Sequence, residues 1–427
     1  MKKKKVTSNN TTKSETLEPL LEPTTHKSGW EVKKLGDLFE ITSSKRVFKE
    51  DWRDAGVPFY RAREIVKLAE NGFVNNELFI SEDMFKKYSE KYGLPKADDI
   101  MVTGVGTLGI CYVVKKEDRF YFKDGNIIWL KTKGKADSRF VEYAFKSDYL
   151  RKQIDDSIGA TVGTYTIIKA KNTKIPIPPL SEQKRIVAVL DKCFAAIDKA
   201  KANAEKNYQN AKELFESYLQ EVFEEKVQGD SFETLDNLCE LIVDCEHKTA
   251  PTQEEGYPSI RTSNIGKGEL ILENVNRVSY ETYLKWTKRA VPKAGDLILA
   301  REASAGNIAV IPENLEVCLG QRTVLIRPKK EKLLSKYLAF LILSKDVQEI
   351  LLSHSTGATV QHINMKDIRA FKIFNLSDLK TQQAIVKKLD ALRAKTQRLE
   401  EIYKKKIANL EDLKKSILQK AFSGGLV

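Results

Sequence analysis

The chain has 427 residues, with 72 Lys+Arg against 59 Asp+Glu, a formal net charge of +13 and 41% apolar residues. That length predicts two or three domains, and no apolar run approaches the ~18–20 residues of a membrane helix. Five scattered cysteines without a CxxC pair argue against a disulfide scaffold or a four-cysteine zinc site.

Residues 1–29 begin MKKKK but continue TSNNTTKSET without an apolar stretch. No secretory signal is expected, a cytoplasmic location follows, and the polar tail is expected to be disordered. Residues 30–179 form a first globular segment. In it Asp99–Thr103 and Ile127–Leu130 read as buried strands, and Val141–Ile154 as an amphipathic helix. IPIPPL at 175–180 holds the chain extended, because proline fixes φ and denies helix to its predecessor.

A long helix is predicted next, within residues 180–226. From Ser181 to about Phe223, Ile186, Leu190, Cys193, Ile197, Ala200, Ala204, Ala211, Leu214 and Tyr218 step alternately by four and three. That is a heptad seam with charged residues on the other faces. Gln228-Gly229-Asp230 ends it. A second globular segment, 227–377, carries the strand-like runs Asp296–Ala300 and Thr323–Ile326 and the helical run Leu334–Leu352. Residues 378–427 repeat the heptad pattern with Ile385, Leu389, Leu392, Leu399, Tyr403, Leu410, Leu413 and Ile417, and stop at Ser423-Gly424-Gly425. Both seams skip one polar position, Asn207 and Lys406, where a polar residue can select register or partner.

The chain is an internal repeat. GVPFYRAREI at 56–65 recurs as GYPSIRTSNI at 256–265, and LPKADDIMVTGVGTLGI at 94–110 as VPKAGDLILAREASAGN at 291–307. GATVGTYTI at 159–167 answers GATVQHINM at 357–365, and IVAVLD at 186–191 answers IVKKLD at 385–390. The offsets stay between 197 and 200 in one order, so the protein is two copies of a globular-plus-helical unit. Each exposed seam must be buried, and an antiparallel pairing of the two helices does this without carrying the second domain back along the rod. The expected fold class is α+β: two repeated domains joined and spaced by two long helices in an antiparallel coiled coil, with a pseudo-twofold axis.

No GxxxxGK[ST] phosphate loop is present. GVGTLG at 104–109 has dinucleotide-loop glycines, but ICYVV follows it, so a turn between strands is expected rather than a helix opening on phosphate. Cys239, Cys245 and His247 lack a fourth ligand, and Asp236 with Glu246-x-Lys248 only loosely resembles a nuclease pattern. No catalytic, cofactor-binding or metal-binding residue is expected.

The loops instead carry residues suited to DNA. In the first copy these are Lys45, Arg46, Tyr60, Arg61, Arg63, Thr107 and Tyr165; in the second, Lys248, Arg261, Ser263, Asn264, Arg301, Ser304, Gln361 and His362. Arg grips guanine O6/N7, Asn or Gln grips adenine, and Ser or Lys takes phosphate. Arg61 aligns with Arg261, whereas Arg63 aligns with Ser263 and Tyr165 with Ile363. Two readers of different sequences on one scaffold would differ in this way.

IPIPPLSEQKRIVAVLD at 175–191 closely resembles the signature that closes each target-recognition domain and opens each conserved helix in specificity (S) subunits of type I restriction-modification systems. FKIFNLSDLKTQQAIVKKLD at 371–390 looks like a degraded copy, and IVDCEHKTAPT at 242–252 is similar to the opening of a recognition domain. The likeness covers about residues 30–422. It implies two recognition domains, 30–179 and 227–377, each reading half of a bipartite, asymmetric double-stranded DNA target, with helices that set the spacer. It also implies that the chain does no chemistry. Two methyltransferase (M) subunits using S-adenosylmethionine, and restriction (R) subunits using ATP and Mg, would be its partners. The alternative is a stand-alone DNA-binding or coiled-coil adaptor protein.

Overall fold

The computed structural model describes residues 29–155, 163–353 and 362–426; the expected tail, Gln361 and the GATV tetrapeptides lie outside them. Two compact units emerge, one comprising residues up to Lys201 together with those from Ala408 on, the other Ala202–Ile407.

The first unit runs β1 (Glu31–Lys34), α1 (Leu35–Leu38), β2 (Phe39–Thr42), β3 (Val57–Tyr60), α2 (Ala62–Asn71), β4 (Phe79–Ile80) and α3 (Glu82–Tyr92). It continues through β5 (Ile100–Thr103), β6 (Cys111–Val113), β7 (Tyr121–Phe122), β8 (Ile127–Thr132), α4 (Ser138–Lys146) and α5 (Asp148–Asp155). Then come α6 (Ile167–Asn172), β9 (Lys174–Ile177) and the start of α7 (Leu180–Phe223). An antiparallel four-stranded sheet has the order β2-β8-β5-β6, and a smaller sheet the order β4-β3-β7 with β3 and β7 parallel. β1 pairs with β9, clasping the start of the domain to its end.

The second unit repeats this plan: β10 (Phe232–Thr234), α8 (Leu235–Leu238), β11 (Cys239–Asp244), β12 (Tyr257–Ile260), β13 (Arg277–Val278), α9 (Tyr280–Trp286), β14 (Leu297–Ala300) and β15 (Ile308–Val310). It ends β16 (Cys318–Leu319), β17 (Thr323–Pro328), α10 (Ser335–Leu343), α11 (Lys345–Ser353), α12 (Met365–Ala370), β18 (Lys372–Phe374) and the start of α13 (Leu379–Phe422). Its sheets, β11-β17-β14-β15 and β13-β12-β16, and its clasp β10–β18 copy the first unit strand for strand. Two short elements differ: where the first unit has α2, the second has only a 3-10 turn, Thr262–Asn264, and the 3-10 turn Lys49–Asp51 of the first has no counterpart among the described residues of the second.

The four predicted strands are β5, β8, β14 and β17, and GVGTLG is a turn between β5 and β6, with Gly106 and Gly109 at φ near +70°. The two predicted short helices are each broken in two, at Ser147 and Ser344. Each serine hydroxyl bonds back to the carbonyl three residues earlier, Ala144 at 2.6 Å and Leu341 at 2.7 Å, and the backbone turns extended there. Serine competes for backbone groups in this way at helix ends.

The long helices are continuous and 44 residues each. In the first unit Asp198 meets Lys414 at 2.8 Å, Lys201 meets Glu411 at 2.7 Å, and Arg185 reaches the Leu426 carbonyl at 2.9 Å. Numbers rise along one helix as they fall along the other, so the pairing is antiparallel. The second unit shows the same direction, with Lys404 over the Tyr208 ring and Arg393 over Phe215. The seam itself is corrected in detail. Leu214, Leu399 and Leu413 are exposed, while Phe215 packs into the second core and Tyr208 and Ile407 lie half-buried. Asn207 and Lys406 are exposed as well, so neither is a polar seam position. A straight helix of 3.6 residues per turn drifts against a 3.5-residue repeat, and the buried stripe moves over by one residue.

Helices and domains share cores. In the first unit Ile186, Leu190, Phe194 and Ile197 of α7, and Leu418, Ala421 and Phe422 of α13, pack with Leu130, Phe140 and Ile175. In the second, Leu219 and Phe223 of α7 and Leu389 of α13 pack with Ile326, Tyr337 and Leu338. A buried glutamine in the first turn ties each helix to its domain. Gln183 accepts from Asp137 N at 2.8 Å and donates to the Pro178 carbonyl; Gln382 accepts from Leu334 N at 2.9 Å and donates to the carbonyls of Lys332 and Ser377.

Candidate nucleic-acid interface

In the first unit four segments meet at one end of the large sheet: the loop after β2, the turn after β5, the turn before β8, and the end of β3. Short polar side chains and backbone groups bind them together. Ser43 donates to the Ile127 carbonyl at 2.9 Å and Ser44 to the Phe122 carbonyl at 2.6 Å, while Gly104 N reaches the Asn126 carbonyl and Lys123 N the Tyr60 carbonyl. On this rim Lys45 and Arg46 are exposed. The Lys45 ammonium lies 5.3 Å from the Tyr92 ring centre, and Arg46 lies 3.6 Å from Asp124. Tyr60 stacks on Phe120 with centroids 4.8 Å apart, and burial, then Asp118 and Glu64, push its phenol up in pKa, keeping it a donor. Thr107 is exposed at the turn after β5.

Arg61 and Arg63 flank a buried carboxylate. Glu64 takes the Arg61 backbone N–H at 2.9 Å and two of its guanidinium N–H groups at 3.1–3.2 Å, and it also pairs with Arg63, which in turn pairs with Glu77. Burial raises the Glu64 pKa, but the hydrogen bonds from Arg61 and Arg63 outweigh it and hold the carboxyl below its ordinary 4.5. A depressed carboxyl contributes stability above its unfolded pKa and loses it as pH falls through the folded value. Between about pH 4.5 and the depressed value, the first unit of the wild type is therefore expected to lose stability that Glu64→Gln lacks at every pH. Melting curves of both proteins across that window check this, and parallel pH profiles would sink it.

The second unit builds the same rim from different residues. Lys248, Arg261, Ser263 and Ser304 are exposed on it, His362 is half-buried at its edge, and Gln361 lies outside the described residues. The turn before β17 sits beside the loop after β11, with Arg322 N donating to Cys245 Sγ at 3.1 Å and Gly320 N to the Ile260 carbonyl at 2.7 Å.

Three residues expected to contact DNA are interior. Tyr165 is 2% exposed, and its hydroxyl shares a hydrogen bond with Thr173 at 2.7 Å. Asn264 is 4% exposed and uses both ends of its amide locally, accepting from Arg261 N and donating to the Ile271 carbonyl. Arg301 is 8% exposed and ion-paired with Asp244 at 2.6 Å. Arg301 directly follows β14, Asn264 closes the 3-10 turn after β12 and Tyr165 precedes α6; such positions between elements read as surface in the sequence, but all three side chains are covered. Two rim residues escaped the sequence reading, Glu302 and Arg322. No sequence signal marked them: the segments before the central strand, KDGN at 123–126 and GQR at 320–322, do not resemble each other.

Burial also raises the pKa of the Cys111, Cys239, Cys245 and Cys318 thiols. Cys239 is pushed up to about 12 by burial, with Asp236 adding to the effect. Among the described residues no group of three His, Cys, Asp or Glu side chains is placed to hold a metal ion.

Comparison with known proteins accords with this architecture. A family model described as the type I restriction modification DNA specificity domain matches twice, over residues 27–206 and 232–409. The EcoBI specificity subunit of Escherichia coli is 25% identical over 68% of this chain, which spans 66% of that protein. A putative specificity subunit of Haemophilus influenzae, S.HindORF215P, is 32% identical, over 37% of this chain and 39% of its own length. The putative MjaX specificity subunit of Methanocaldococcus jannaschii is 25% identical over 92% of this chain and 93% of its own. Among solved structures, a chain from a study of complex assembly and conformational transition of the type I R-M system superposes with a TM-score of 0.71 at 20% identity, covering 94% of this chain and 99% of its own. The HsdS subunit of Thermoanaerobacter tengcongensis superposes at 0.58 and 19% identity, covering 93% and 98%. With both repeats matched, paired strand for strand and joined by the antiparallel helices, the chain belongs to the family of DNA specificity subunits of type I restriction-modification systems.

Proposed function

We propose that this chain is the non-catalytic, sequence-reading subunit of a type I restriction-modification complex. Each unit reads one half of a bipartite double-stranded DNA target through the rim of its large sheet, and the paired helices set the spacing and offer docking surfaces to methyltransferase subunits. One observation carries the reading: two rims of identical topology bear different side chains, so the same scaffold addresses two different sequences. Phosphate contacts from Lys45, Arg46, Lys248 and Arg261 would position the DNA, and base-edge contacts would discriminate. S-adenosylmethionine, ATP and Mg belong to the partner subunits in this scheme, and the complex works in the cytoplasm. Among the described residues no helix is long and apolar enough to cross a membrane.

Co-expression with a cognate methyltransferase subunit, followed by genome-wide mapping of methyladenine, tests the proposal. A bipartite motif with a fixed gap is expected; no motif, or a continuous one, would overturn it. The spacer role has its own test. Removing one heptad from each long helix shortens the antiparallel pair by about 10 Å at 1.5 Å per residue while turning it through nearly two whole turns. The expected motif keeps both half-sites and loses about three base pairs of gap, since a ~34–36 Å turn holds about ten. Altered half-sites with an unchanged gap would defeat the ruler.

A further inference from the structure

The rim of the second unit holds a chain of charged side chains that the first unit lacks. Arg301 donates from Nε to the Ile363 carbonyl at 2.8 Å and from Nη1 to Asp244 at 2.6 Å, while Nη2 lies 2.9 Å from His362 Nε2. His362 Nδ1 stands 2.8 Å from one Glu302 oxygen, and the other meets Arg322 Nη1 at 2.7 Å. A guanidinium cannot accept, so His362 Nε2 is the acceptor and its proton sits on Nδ1, donated to Glu302. The side-chain nitrogens of Arg301 and His362 are thereby all engaged, and the relay ends on Arg322. That side chain is 61% exposed, on a backbone held at φ +65° by its N–H to Cys245 Sγ and its carbonyl to Arg301 N.

The fold does not require this relay. In the first unit the same backbone bonds join Gly104 to Asn126 and Tyr165, and Ser43, Gly104 and Asn126 stand where Asp244, Arg301 and Arg322 stand in the second. A Cβ on Gly104 would come within 2.8 Å of the Tyr165 carbonyl, so that copy has no room for the arginine. Burying a guanidinium and a carboxylate costs desolvation, and a sister domain of identical topology forms without them. The relay therefore serves something particular to the second unit.

We propose that Arg322 is a guanine-reading side chain of the half-site addressed by the second unit, and that Glu302, His362, Arg301 and Asp244 are positioning residues that aim it. This deepens the function proposed above and rests on it. Glu302 takes one N–H of the fork and fixes its plane, leaving the remaining donors for the O6/N7 edge of guanine. The Glu302 carboxylate beside it disfavours a phosphate at the same place but tolerates a neutral base edge.

The test is methyladenine mapping with the assembled complex carrying Arg322→Ala, Arg322→Lys or Glu302→Gln. Arg322→Ala is expected to relax one guanine position in one half-site by on the order of tenfold, with the other half-site and the gap unchanged. Arg322→Lys keeps the charge but loses the fork, and is expected to relax the same position. Glu302→Gln is expected to relax it partially while leaving the melting temperature of the complex near wild type, which separates aiming from simple support. An unaltered motif with Arg322→Ala overturns the assignment, and so does a uniform fall in methylation across all sites that lysine restores, the mark of a phosphate contact. A wild-type complex without a bipartite motif would instead remove the underlying function.

Discussion

Phe422→Ala is expected to destabilise the first unit by about 3–5 kcal/mol, the range for emptying a buried phenylalanine site, although its position is nearly at the other end of the sequence. Phe422 is 5% exposed and packs against Phe140 with ring centroids 5.1 Å apart, among Leu418, Ala421 and the helix α7 residues Ile186 and Leu190. The cavity left by alanine opens into that core and into no other. Phe223→Ala, the counterpart, is expected to do the reverse and weaken the second unit, where Phe223 stands edge-on to Tyr337 at 5.2 Å. Hydrogen exchange resolved by peptide checks both: protection should fall across residues 30–201 for the first variant and across 202–407 for the second. Loss of protection in 230–377 on removing Phe422 would refute the shared-core assignment.

The second large effect is expected at Asp296. Its carboxylate is 4% exposed and takes a two-pronged grip from Arg327, at 2.7 and 2.6 Å, with Lys293 N at 2.8 Å. Hydrogen bonding to Asp296 is the main cause of the raised Arg327 pKa. Asp296→Ala strands a mostly buried guanidinium, and such broken pairs cost about 3–5 kcal/mol. Asp99 occupies the equivalent site in the first unit but holds neutral donors, Trp129 Nε1 at 2.8 Å and the backbone N–H groups of Thr132 and Lys96. Asp99→Ala leaves only neutral groups unsatisfied, at about 1–3 kcal/mol. Denaturant unfolding of the two variants should rank them in that order, and replacing Asp296 and Arg327 together by leucines should recover part of the loss. Equal costs for the two aspartates would mean that the ion pair adds nothing beyond its hydrogen bonds.

Much of this architecture was legible in residues. The period of about 200 announced two copies, and four apolar runs marked the central strands because both faces of those strands are covered. The long helices showed themselves by sustained periodicity and by prolines and glycines at their ends. Gln183 and Gln382 persist even where the second signature is degraded, because each satisfies buried backbone groups that no apolar residue could. The site was less legible. Lys45, Arg46, Lys248 and Arg261 were found on the surface as expected, whereas Tyr165, Asn264 and Arg301 were not, since an exposed and a covered residue between elements look alike in one dimension. Arg322 was overlooked because nothing in its neighbours reveals a left-handed backbone or a carboxylate brought from twenty residues away.

By itself the sequence determined the duplication, the order of its elements and the existence of two amphipathic helices, because these follow from local periodicity and self-similarity. Only the tertiary structure decided where one unit stops and the other begins. The antiparallel pairing inserts Leu418, Ala421 and Phe422 into the first core and Leu219 and Phe223 into the second, so each compact unit is completed by the far end of the other copy's helix. It also decided which basic side chains stay at the surface. Charge totals count every arginine alike, but desolvation and pairing divide them, turning Arg301 and Arg327 inward to partners and leaving Arg46, Arg261 and Arg322 at the rim.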